Sequence, residues 1–399
     1  MAKSGDAVTS LESERHDNRS VLQTYSNLYS SDPIRVKAPG RINLIGDHTD
    51  YNEGFVLPAA IDMEIELALG KNSGRTCRIF SIDYKEEFIF DLEDFSPLPS
   101  GWANYIMGVV AQFQEKGFLI TGFDCVFGGD IPIGAGLSSS AALECGVAVG
   151  LNRLFGYDIK KIDLIKMAQK AEHTFAGVQC GIMDQFASIM GKIDHVIQLD
   201  CRSLDYRHFK LDLQDYEILL CDTQVKHSLA DSAYNTRREE CDKGVAILSK
   251  NHENVASLRD VTLSMLEEQK SLLDPVIYQR CKFVVEENQR VLDACKALDK
   301  GDMVGFGTKM YQSHDGLSNL YEVSCAELDL LVEAAKSMNS VKGSRMMGGG
   351  FGGCTINLVK KNEAQAFENE MKQVFQKAFN QELVIYRVNI QDGVREIME

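Results

Sequence analysis

The sequence predicts an α/β protein with a mixed sheet, divided into two domains or into two lobes of one large unit. Three observations predict it. The chain has 399 residues, more than one core of ordinary size organises. Residues 61 to 91 alternate, as in Ile61-Asp62-Met63-Glu64-Ile65-Glu66-Leu67 and Phe88-Ile89-Phe90, the pattern of strands in a mixed sheet. Finally, an apolar run from Phe123 to Phe127 stops at Gly128-Gly129-Asp130. It is followed by Pro132-Ile133-Gly134-Ala135-Gly136-Leu137-Ser138-Ser139-Ser140 and a helical pattern from Ala141 to Leu154. Strand, glycine-rich turn and helix N-terminus follow in that order.

That turn presents backbone N–H groups to an anion, and the helix dipole adds to the attraction. Gly134 and Gly136 let the backbone approach a phosphate, and the three serines offer hydroxyls to phosphate oxygens or to Mg2+. A plain loop with a serine N-cap fits the same residues. A dinucleotide loop needs a third glycine where this chain has serine, and a P-loop needs a Gly-Lys-Ser that is absent.

Composition narrows the function class. Hydrophobic residues are 44% of the chain, and no apolar run reaches the ~18 residues of a spanning helix. No apolar signal region follows Met1-Ala2-Lys3-Ser4-Gly5-Asp6, so a cytoplasmic protein without a membrane partner is expected. The 11 cysteines are scattered, with no Cys-x-x-Cys, as reduced buried thiols would be. Lys plus Arg number 42 against 58 Asp plus Glu, a net charge of −16 that argues against nucleic acid.

In chain order, residues 1 to about 15 read as a mobile tail. A short helix is expected from Asn18 to Tyr29 and a strand from Ile34 to Ala38. The segment Pro39-Gly40-Arg41-Ile42-Asn43-Leu44-Ile45-Gly46-Asp47-His48-Thr49-Asp50-Tyr51 then concentrates Arg41, Asp47, His48 and Asp50 between apolar residues. Carboxylates and an imidazole at the mouth of a core can hold sugar hydroxyls, and a guanidinium can serve a transferring phosphate. An internally bridged charged loop is the alternative. Trp102 opens a helix, either as core or as one wall of an adenine pocket. A helical pattern from Ile159 to Ala176 carries Glu172, solvent-facing or a Mg2+ ligand opposite the serine turn. Asp184 and Gln185 interrupt an apolar run from Ile182 to Met190, where an acid needs a partner or a function. Asp184 either marks a helix N-terminus or accepts the proton of an attacking hydroxyl. Strands are expected at His195 to Asp200 and Tyr216 to Cys221, and helices through residues 235 to 312, with a polar linker near Asn251 to Asn254. A second glycine-rich turn, Gly343 to Cys354, precedes a strand from Thr355 to Val359.

Taken together, these segments resemble the GHMP kinase family, and within it the galactokinase branch. Pro39 to Tyr51 is similar to the galactokinase signature, Gly136 to Ala141 to the phosphate loop, and Gly343 to Cys354 to the third motif. Trp102-Ala103-Asn104-Tyr105, Cys180 to Gln185 and Tyr234-Asn235-Thr236-Arg237-Arg238 also resemble that branch. The match runs from about Ile34 to the C-terminus.

The resemblance implies an N-terminal α/β domain with a mixed sheet, an α+β C-terminal domain, and an active site in the cleft between them. The tail and short helix take residues 1–30, the ATP-binding domain 31–205 and the C-terminal domain 206–399. It implies ATP-dependent phosphorylation of a sugar's anomeric hydroxyl with Mg2+, and a monomer is expected. The residues matching the sugar site are Asp47, His48, Asp50, Gly181, Asp184 and Tyr234. Asp184 is the candidate base, with Arg41 beside it. Gly134, Ala135, Gly136, Leu137, Ser138, Ser139 and Ser140 match the phosphate residues, Ser140 and Glu172 the Mg2+ residues, and Trp102 an adenine-pocket residue. The chain departs from the family pattern at Asp47, usually Glu, at Met347, usually Thr, and at His314 to Tyr321, which usually carries two aspartates. A 1-kinase for mannose or an N-acetylhexosamine is the neighbouring reading. A sugar sensor without turnover is a third, against which the complete serine loop and Asp184 stand.

Overall fold

In a computed structural model of the chain, residues 20–132, 134–225 and 230–397 are described, so the expected tail lies outside the described residues. The strands are β1 (Ile34–Asn43), β2 (Phe55–Val56), β3 (Pro58–Lys71), β4 (Thr76–Ser81), β5 (Glu86–Asp91), β6 (Phe123–Gly129) and β7 (His195–Asp200). They continue with β8 (Tyr206–Lys210), β9 (Tyr216–Asp222), β10 (Val341–Met346), β11 (Cys354–Lys360), β12 (Val384–Val388) and β13 (Arg395–Glu396).

Six strands in the order β13-β1-β3-β6-β4-β5 make the first sheet. It is mixed, because β4 and β6 run parallel while the other neighbours are antiparallel. The alternation seen at residues 61 to 91 therefore belongs to β3, β4 and β5. The helix Ser139–Leu154 packs on β1 and β3, and the helix Met183–Met190 packs on the same two strands. That shared face brings the serine turn and Asp184 together. The second sheet, β10-β11-β9-β12, is antiparallel and carries the helices Met303–Asn319 and Ala326–Lys336 against β10. A third, small sheet joins β2, β7 and β8.

Several expected elements are longer than their patterns. β1 extends beyond Ala38 to Asn43, because Arg41, Ile42 and Asn43 pair with Ala60, Ala59 and Pro58 after an irregularity at Pro39. The first half of the charged segment is thus strand, and only its end turns. The helix with Glu172 runs as α from Lys161 to Ala171 and then widens into a π turn, Glu172–Ala176, a local form frequent at functional sites. β13 was not foreseen. It returns the end of the described chain to the first sheet, next to β1. One continuous core joins both halves, with Ile42, Leu44, Val291, Met347 and Ile356 in the same cluster of buried residues. Among the described residues no helix is long and apolar enough to cross a membrane.

Candidate active site

The glycine-rich turn needs left-handed backbone: Gly134 has φ 84° and Gly136 φ 75°, values open to glycine at little steric cost. Ser138, at φ 58°, precedes the helix Ser139–Leu154 but makes no side-chain cap. Its hydroxyl donates to Asp184 Oδ2 at 2.5 Å. The N-cap reading of this serine therefore fails, and the helix N-terminus has no side-chain cap over its amides.

Asp184 is held from a second side. Arg41 Nε donates to Oδ1 at 2.8 Å and Nη2 to Oδ2 at 3.0 Å, while Nη1 donates to the Gly136 carbonyl at 2.6 Å. Arg41 is 5% exposed. The two-point pairing fixes the carboxylate plane. Three of its roughly four lone-pair directions are then used, which leaves capacity for one more hydroxyl.

Arg41, Asp47, His48, Asp50, Glu172, Gly181, Asp184 and Tyr234 line one cavity of about 300 Å³, closed on the other side by Gly348, Gly349, Gly350 and Phe351. That is the small end of the range for ligand pockets. A neighbouring cavity of about 550 Å³ is lined by Gly134, Gly136 to Ser140, Val225, Met347 and Gly349 to Gly353. Arg41, Gly349, Gly350 and Phe351 line both. Ala135 is buried beneath this turn.

Gly181 is there because nothing larger fits: a Cβ would meet Asp50 Oδ2 at 1.9 Å. Asp50 is pushed up to about 7, first by burial and then by the charge of Asp184. Burial, followed by the charge of Asp50, also raises the Tyr234 hydroxyl well above its ordinary range. His48 is lowered to about 4 by burial, which keeps it neutral. Asp47 lines the cavity but is committed elsewhere. It accepts from Asn43 Nδ2 at 2.8 Å, from the Gly348 amide at 3.1 Å and from Arg345, a guanidinium with no exposure at all.

Glu172 lies where the π turn meets the serine turn. Gln185 Nε2 donates to Glu172 Oε2 at 2.6 Å and to Glu144 Oε2 at 3.3 Å. The Ser140 hydroxyl also bonds Glu172. Burial first, and then the charge of the neighbouring acid, raises both carboxyls: Asp184 acts on Glu172, and Glu172 on Glu144. Glu144 Oε1 and Gln185 Oε1 are buried without a hydrogen-bond partner. Among the described residues no group of three or more His, Cys, Asp or Glu is arranged to hold a metal ion, though Ser140 and Glu172 carry oxygens of the kind a hard cation takes. Glu144 and Arg345 were not singled out in the sequence. An acid in an apolar helix and an arginine inside a strand were the available signals. Trp102 lines neither cavity. It packs on Phe88 and Phe127, and its indole N–H donates to Glu86 at 3.2 Å.

Comparison with known proteins identifies the family. A family model for the galactokinase galactose-binding signature matches residues 23–71. Models for the N-terminal and C-terminal domains of GHMP kinases match residues 104–192 and 294–377. The galactokinase of Roseiflexus sp. strain RS-1 is 39% identical over 384 residues, 96% of this chain and 98% of that protein. The galactokinase of Thermotoga neapolitana is 42% identical over 364 residues, 91% of this chain and 100% of that protein. Among solved structures, Lactococcus lactis galactokinase complexed with galactose has a TM-score of 0.90 at 32% identity, covering 95% of this chain and 100% of the other. Methanococcus jannaschii mevalonate kinase has a TM-score of 0.63 at 17% identity, covering 91% of this chain and 100% of the other, and shares the fold. Sequence relationship along nine-tenths of its length, together with the two joined cavities, makes this chain a member of the galactokinase family of GHMP kinases.

Proposed function

We propose that this enzyme transfers the γ-phosphate of ATP to the anomeric C1 hydroxyl of galactose, giving galactose 1-phosphate. The observation that carries the reading is the Arg41–Asp184 pair at the junction of the two cavities. The smaller cavity takes the sugar, and the one lined by the serine turn takes the phosphates.

Positioning and electrostatics supply most of the acceleration in such a transfer. Asp184, fixed by Arg41 and Ser138, orients the C1 hydroxyl and accepts its proton as the new bond forms. Arg41 lines both cavities and offsets negative charge passing between them. The backbone of residues 134 to 140 holds the phosphates. Asp50 and Tyr234 bind sugar hydroxyls, and Gly181 makes room for Asp50. Ser140 and Glu172 are the residues to hold Mg2+, which when bound neutralises phosphate charge. Trp102 stands beyond both cavities as described, so its adenine contact rests on the family likeness alone.

Eleven free cysteines fit a reducing, cytoplasmic setting. An ADP-release assay with a panel of hexoses tests the function. Galactose is expected to lead, and a chain that releases no ADP with any hexose overturns the reading.

A further inference from the structure

A line of hydrogen bonds runs into the sugar cavity from residues that do not line it. Cys241 Sγ lies 3.2 Å from the Tyr321 hydroxyl, which lies 2.8 Å from the Tyr51 hydroxyl. The Tyr51 hydroxyl lies 2.8 Å from His48 Nδ1, and His48 Nε2 lies 3.2 Å from the Gly349 carbonyl. Cys241 and Tyr321 are fully buried, and His48 is 3% exposed.

Chemistry gives this line a direction. A carbonyl only accepts, so Nε2 carries the proton. His48 is neutral, so Nδ1 has a free lone pair and accepts from Tyr51. Tyr51, having donated, accepts from Tyr321, which accepts from the Cys241 thiol. Both ring nitrogens of His48 are thereby used within the protein. Its contact with Gly349 holds the glycine-rich turn that walls both cavities. Tyr321 reinforces the arrangement. Its own carbonyl accepts from Arg237 Nε at 2.7 Å, on the helix that bears Tyr234.

We propose that Tyr51 and Tyr321 are positioning residues: they fix His48 in its Nε2–H form, and His48 in turn sets the Gly349 carbonyl at the wall of the sugar cavity. The choice of galactose as probe rests on the function proposed above, while the histidine form does not. Tyr321→Phe removes only a hydroxyl and keeps the ring contact with Phe283, 4.7 Å between centroids.

The test combines nitrogen-15 NMR of the histidine rings in the ligand-free protein at pH 7.5 with calorimetry and kinetics. Wild type, Tyr51→Phe and Tyr321→Phe are compared. The wild-type His48 ring should show an unprotonated, hydrogen-bonded Nδ1 and a protonated Nε2. Tyr51→Phe should shift the Nδ1 signal and raise the galactose Kd about 10-fold, the scale of one buried hydrogen bond. Tyr321→Phe should act in the same direction by about 3-fold. Both should raise KM for the sugar and leave kcat within about twofold, as for lost uniform binding. A wild-type ring protonated on Nδ1, or a Tyr51→Phe protein with unchanged ring signals and galactose Kd, overturns the proposal. A wild type that binds no galactose overturns the sugar assignment instead, and the ring signals still decide the hydrogen-bond line.

Discussion

Asp47 and Arg345 form an ion pair inside the protein, with the Arg345 side chain 0% exposed and that of Asp47 2%. The pair ties the signature segment to the third motif across 298 residues of sequence. Asp47 therefore serves first as a clamp. Asp47→Asn leaves a buried guanidinium without its anion and is expected to lower stability by ~3–5 kcal/mol. Urea denaturation checks it, and a loss under ~1 kcal/mol would contradict the clamp.

Sugar choice is a separate matter. Glu is longer than Asp by one methylene, ~1.5 Å, so Asp47→Glu presses on Arg345 and Gly348. Wild type is expected to favour galactose over mannose, glucose and N-acetylgalactosamine in kcat/KM. If another hexose leads by tenfold, the galactose assignment fails and only the kinase assignment stands. If Asp47→Glu then restores galactose, the shorter side chain is the cause.

Asp184→Asn keeps the shape of the residue but removes the proton acceptor and the charge facing Arg41. Turnover is expected to fall by ~10²–10⁴. Steady-state kinetics giving a rate within threefold of wild type would end the role proposed for Asp184.

Ser140→Ala and Glu172→Gln act on the phosphate side. Calorimetry should show weaker MgADP binding, with galactose affinity little changed. Since Gln185 joins Glu172 to Glu144, Glu172→Gln should have the larger effect. Unchanged MgADP affinity in both variants would make these groups structural.

Asp50 makes stability depend on pH. Burial, and then the charge of Asp184, push the Asp50 carboxyl in the folded state up to about 7, well above the ordinary carboxylate value of about 4. Between these values the folded state holds the extra proton. The stabilisation is complete below about pH 4 and is lost as pH rises through 7. Asp50→Asn should raise Tm at pH 8 by ~2–5 °C, and the gain should shrink toward pH 4. Scanning calorimetry across that range checks the sign, and a constant difference would refute it.

Periodicity and glycine are local properties, and what depends on them was legible in the sequence. The strand–turn–helix order at residues 123 to 154, the alternating strands β3 to β5 and the clustering of Arg41, Asp47, His48 and Asp50 all follow from neighbours in the chain. So does the oddity of Asp184 and Gln185 in an apolar helix. Side-chain partners depend on packing between distant segments, and no local pattern encodes them. The family likeness set Arg41 beside Asp184, 143 residues away, but only the tertiary structure decided that two nitrogens of the guanidinium grip both carboxylate oxygens, and that Ser138 serves Asp184 rather than its own helix. The same holds for Asp47 turning to Arg345 and for Tyr321 reaching His48 through Tyr51. β13, two residues long, carries too little periodicity to be read at all. It forms because β1 offers an open edge, and pairing with that edge satisfies backbone groups of both strands.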